Sequence, residues 1–144
     1  MSEFPLKFEV YAKSKEGITC KWQSGSENYH PIEMSIPCAF NGPGKAYSPE
    51  DLFGLAMLNC IIAVYKDICE KNKIKFETID GKASIFMDRS QEGNGLIIST
   101  IDITIKVTGA SDREKARIFL EKTLKICPIA NSIKSGKSFH ITVE

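Results

Sequence analysis

Net charge is almost absent from this 144-residue chain: 19 basic side chains face 18 acidic ones, leaving +1 at neutral pH. Neither half carries a basic block of the kind that grips phosphate backbones, which argues against a nucleic-acid partner. Arginine is scarce, with only Arg89, Arg113 and Arg117, and the two histidines, His30 and His140, match no metal-ligand spacing. Gly-x-Gly-x-x-Gly, P-loop and Gly-x-Ser-x-Gly motifs are all missing, so the familiar signatures of dinucleotide, nucleotide and serine-hydrolase sites are excluded. There is no Cys-x-x-Cys either. The five cysteines (Cys20, Cys38, Cys60, Cys69 and Cys127) are odd in number and never closer than nine positions. A secreted disulfide scaffold and a zinc ribbon both need clustered pairs. The amino terminus, MSEFPLKFEV, lacks an apolar signal core, and the longest apolar stretch, Leu52 to Tyr65, is short for a bilayer span and contains Gly54 and Asn59. The expectation is a cytoplasmic chain with no membrane partner. In that reducing compartment a thiol is kept as a small core hydrophobe or for its chemistry.

What is present is ordinary globular material, 42% hydrophobic and 26% charged. The length predicts one domain over residues 1–144, large enough to bury roughly 70% of its unfolded surface without staples. Residues 6–12 alternate, with Leu6, Phe8, Val10 and Ala12 on one face. Ile18, Cys20 and Trp22 alternate again after Gly17, so the two runs read as a hairpin. Ile32 to Ile36 adds a third strand, and a loop rich in Pro and Gly covers 37–47. Ser48-Pro49-Glu50-Asp51 is a helix start with a cap, a proline at the first position and two carboxylates at the positive end of the dipole. The helix predicted to about Asn72 is apolar on every side through Tyr65, as expected of a central helix wrapped by other elements.

Two strands follow, around Ala83–Met87 and Ile101–Val107, joined by a turn at 91–95. Ser111-Asp112-Arg113-Glu114 reads as a capping box for a helix that Cys127-Pro128 breaks. A short helix from Pro128 to about Lys134 and a strand through Phe139, Ile141 and Val143 finish the chain. The order β-β-β-α-β-β-α-α-β predicts an α+β domain.

Among the thiols, Cys20 reads as core and Cys69 as idle in the polar half of its helix, while Cys38 is open. Cys60 lies among Ala56, Met57, Leu58, Ile61 and Ile62, where burial without a cation leaves a thiol inert. Cys127 can cap the helix that Pro128 opens, and backbone N–H groups there favour a thiolate. Local physics therefore ranks Cys127 above Cys60 as a nucleophile.

The Ser48-Pro49-Glu50-Asp51-Leu52 start, the apolar helix carrying Cys60, and Cys127-Pro128-Ile129-Ala130-Asn131 sixty-seven residues later resemble the OsmC/Ohr family of thiol peroxidases. The element order and length agree over nearly the whole chain. The resemblance implies an intertwined homodimer whose antiparallel sheets wrap two central helices. It implies that Cys60 is the peroxidatic thiol and Cys127 the resolving one, reversing the local ranking, with Glu50 orienting an active-site arginine. It further implies organic hydroperoxides as substrates and an external dithiol as reductant, with no bound cofactor or metal. This sequence departs from the pattern in one respect: no arginine precedes Cys60. Lys45 is the nearest cation by position, and an ammonium cannot reproduce a bidentate guanidinium. The departure places the chain nearer the divergent OsmC-like branch and keeps two alternatives open: a non-catalytic dimer that binds a small apolar ligand beside Cys60, and a redox sensor switched by a Cys60–Cys127 bridge.

Overall fold

A computed structural model describes residues 3–144, and its elements follow the predicted order. The chain divides into two compact units, one ending at Leu52 and the other spanning Phe53–Glu144.

In the first unit β1 (Tyr11–Lys13), β2 (Trp22–Gly25) and β3 (Ile32–Met34) form an antiparallel sheet in the order β1-β2-β3. Its register pairs Tyr11 with Gly25 and Trp22 with Met34. The hairpin is shorter than its alternation predicts. Residues 6–10 join no strand, and Phe8 and Val10 are 88% and 84% exposed. Alternation specifies which face a strand would bury, but pairing needs a neighbouring strand, and the chain's own β2 reaches only to Tyr11. Ile18 is likewise exposed rather than inward. The loop contains a 3-10 turn at Cys38–Phe40 that ends on Asn41 in the left-handed region (φ 64°). Ser48 and Asp51 then close a reciprocal box: Ser48 N–H donates to Asp51 Oδ2 (2.9 Å) and Asp51 N–H to Ser48 Oγ (3.1 Å). Two orphan donors are thereby satisfied and α1 (Pro49–Lys71) begins.

In the second unit β4 (Thr78–Arg89), β5 (Leu96–Thr108) and β6 (Gly136–Val143) form a sheet in that order, β4 antiparallel and β6 parallel to β5. Ile101, Ile103, Ile105 and Val107 are fully buried, so β5 is the spine of the core. The rest of α1 lies against this face. Gly54 lets the helix approach Ile85, and Gly81 leaves room for Leu58. α2 (Arg113–Ile126) and α3 (Pro128–Asn131) complete the layer. The cap of α2 differs from expectation: Asp112, not Ser111, accepts from Lys115 N–H at 3.0 Å, while Ser111 Oγ accepts from Lys75 N–H at 2.9 Å. α3 ends at Asn131, short of Lys134.

By length and composition α1 is apolar enough to cross a membrane, with a mean hydropathy of 1.7 over its best 18 residues. Core packing accounts for one side of that character: Met57, Ile61, Tyr65, Ile68 and Cys69 are buried at helical spacing. Ala56, Asn59 and Ala63 are exposed, as is Leu55. Within the second unit the helix is therefore covered on one side.

Candidate thiol site

Two thiols far apart in sequence meet in the second unit. Cys60 sits in mid-helix on α1, half-buried, next to the fully buried Ile61. Cys127 lies at the junction of α2 and α3 and is completely buried. Cys60 is near enough to Cys127 to affect its titration, and both are free thiols.

Their surroundings set the two thiols apart. Burial pushes the Cys127 thiol up to about 11, and the neighbouring Cys60 pushes the same way. The backbone N–H groups of Ala130 and Ile129 pull it down, as expected of a helix start, but desolvation is the larger effect. Cys127 is therefore a protonated thiol at neutral pH. The signal for its burial is in the sequence: Ala116, Leu120, Thr123, Cys127 and Ala130 recur at spacings of four and three, and all five are buried. The apolar stripe of α2 runs through the Cys-Pro break rather than stopping at it.

The two helices that carry these thiols are tied together. Tyr65 Oη on α1 donates to the Ala116 carbonyl on α2 at 3.0 Å, and the Tyr65 ring packs against Phe76 with centroids 5.4 Å apart. Burial raises the Tyr65 hydroxyl, which keeps its proton for this bond. Cys69, expected to be idle in a polar stretch, is buried beside Tyr65, and desolvation raises its thiol.

Glu50 is in the first turn of α1, ten positions before Cys60, or about 15 Å along the axis, so the helix does not make the two neighbours. Glu50 Oε2 is shielded from water and has no hydrogen-bond partner among the described residues. Lys45, in the first unit's loop, is exposed in a left-handed conformation (φ 59°), and its carbonyl accepts from Lys21 Nζ at 3.4 Å. The three arginines are all exposed: Arg89 at the end of β4, Arg113 and Arg117 on α2. Among the described residues no three His, Cys, Asp or Glu side chains are grouped to hold a metal ion.

A long helix on an α+β layer, with a half-buried thiol facing a buried one at a helix break, defines a class of paired-cysteine domains. Comparison with known proteins makes this specific. The family model described as OsmC-like protein matches residues 42–142, and the chain belongs to that family. An organic hydroperoxide resistance protein-like 1 from Staphylococcus epidermidis is 23% identical over 101 residues, which cover 70% of this chain and 71% of that protein. The crystal structure of an OsmC organic hydroperoxide resistance protein from Legionella pneumophila superposes with a TM-score of 0.71 at 19% identity, covering 95% of this chain and 97% of that one. An OsmC-like protein of unknown function from Vibrio cholerae gives 0.79 at 15% identity, with 94% and 100% covered. At these identities the structural likeness speaks for the fold, in agreement with the α+β order read from the sequence.

Proposed function

We propose that the protein is a cysteine-dependent reductase of organic hydroperoxides, working as a cytoplasmic homodimer in defence against oxidative stress. One observation carries this reading: Cys60, half-open, and Cys127, sealed and protonated, lie side by side on helices held together by Tyr65. The Cys60 thiolate attacks the distal oxygen of the O–O bond, which breaks to leave Cys60 as a sulfenic acid, and the departing alkoxide takes up the proton that the thiol had released and leaves as an alcohol. The Cys127 sulfur then attacks the sulfenic sulfur, its proton leaves with the hydroxyl as water, and a disulfide forms. An external dithiol restores both thiols and is itself oxidised. The apolar residues flanking Cys60 favour an alkyl or lipid hydroperoxide over hydrogen peroxide.

Glu50 supports the reading as a shielded carboxylate oxygen without a donor, suited to receive a cation that a second copy of the chain supplies. The uncovered side of α1 supports the dimer. The test is hydroperoxide consumption with a dithiol present. Wild type is expected to turn over cumene hydroperoxide and Cys60→Ser to lose the activity; an unchanged rate in Cys60→Ser overturns the proposal.

The exposed placement of all three arginines favours a second reading, in which the dimer binds a small apolar ligand beside Cys60 without chemistry. That reading expects no turnover and a melting temperature that rises with ligand concentration.

A further inference from the structure

We infer that the oxidised protein is reopened at one defined sulfur: the reductant attacks Cys60, and Cys127 is the buried leaving group. The inference rests on the reading of Cys60 and Cys127 as a redox pair and adds the direction in which that pair is reduced. Two observations carry it. Cys127 has no exposed surface, whereas Cys60 is half-buried and keeps part of its surface open. Thiol–disulfide exchange needs the attacking sulfur in line with the bond it breaks, so the accessible sulfur is the one that is struck.

The step balances as follows. A reductant thiolate forms a bond to Cys60 Sγ; the Cys60–Cys127 bond breaks and its electron pair goes to Cys127 Sγ. The Ala130 and Ile129 N–H groups face that sulfur as its charge appears, and it then takes up the proton that the reductant thiol released. The second thiol of the dithiol, its proton released to solvent, attacks its own sulfur held on Cys60 and expels the Cys60 thiolate. The protein gains two electrons and the dithiol becomes a cyclic disulfide. The proton ends on the sulfur whose surroundings hold it most firmly, which slows Cys127 from attacking the mixed disulfide again. The intermediate therefore lasts long enough to be captured.

The experiment uses the wild-type chain, and the bridge is made with diamide so that no hydroperoxide turnover is required. After removal of diamide, a brief pulse of 2-mercaptoethanol is quenched with acid and N-ethylmaleimide, and peptide mass spectrometry locates the adduct. The expected result is at least tenfold more mercaptoethanol on Cys60 than on Cys127, with Cys127 recovered as the maleimide derivative. Equal partition, a preference for Cys127, or failure of diamide to join the two overturns the inference. Capture on Cys60 in a protein that consumes no hydroperoxide leaves the inference standing and removes the peroxidase proposal, so the two fail separately. A second measurement needs no bridge: at pH 7.5 native Cys60 in Cys127→Ser is expected to react with a bulky aromatic disulfide at least tenfold faster than native Cys127 in Cys60→Ser.

Discussion

Cys127 keeps its proton because no water reaches it, and this has a consequence for stability. Burial raises its thiol from 9.0 to about 11. Below pH 9 the native and unfolded chains both hold the proton. Between pH 9 and 11 the unfolded chain releases it and the native chain does not, so unfolding is favoured as pH rises through that window. The loss is on the order of 2 kcal/mol. Cys127→Ser removes this titration, so the stability difference between reduced wild type and Cys127→Ser should shift by that amount against wild type from pH 8 to pH 11, read from urea midpoints. A constant difference would mean that the thiol is not sealed. The same variant separates the roles of the two sulfurs. Without added thiol, Cys127→Ser should consume one equivalent of hydroperoxide in forming the Cys60 sulfenic acid and a second in carrying it on to the sulfinic acid, because nothing traps the sulfenic acid. Cys60→Ser should consume none.

At the scale of elements, the sequence and the structure part company where a pattern needed something outside its own segment. The cleanest alternation, Ile101 to Val107, became the buried spine of a sheet because β4 and β6 flank it within the chain. The alternation at 6–10 has no such neighbours among the described residues and stays unpaired. The thiol site was half legible: both cysteines and the helix break were readable, but whether the cap or the burial of Cys127 would prevail depended on the core that forms around it. The cap of α2 shows a smaller misreading, since Ser111 and Asp112 are both good caps and only geometry chose between them. Asp112→Ala is accordingly expected to cost about 1 kcal/mol in thermal or urea unfolding. Gly42 is a sharper case. A Cβ there would overlap the Ile36 carbonyl, and backbone cannot rotate aside as a side chain can. Gly42→Ala should therefore destabilise the chain by about 1–3 kcal/mol, despite sitting in the loop rich in Pro and Gly at 37–47. A midpoint within error of wild type would show that the loop simply relaxes.

At the scale of the whole molecule, the chain leaves many large apolar side chains exposed. Phe4, Phe8 and Val10 stand more than four-fifths exposed in a segment that alternates like a strand, and α1 leaves Leu55, Ala56 and Ala63 uncovered. Small side chains on that helix side suit close approach of a second helix, and an unpaired alternating segment suits an open sheet edge. Exposed apolar residues of this kind mark interaction surfaces, and a second copy offers a complement to each. The protein should accordingly sediment at twice its 16.0 kDa mass at micromolar concentration. Ala63→Glu should shift it toward monomer by placing a charge in the helix contact. Phe8→Ser with Val10→Ser should lower the melting temperature of the dimer, though both side chains are exposed within their own chain. If Glu50 receives its cation from the second copy, hydroperoxide reduction must fall together with dimer mass as Ala63→Glu is diluted. Sedimentation as a monomer at every concentration, with activity intact, would mean that the chain completes its site alone and that the exposed segments serve some other contact.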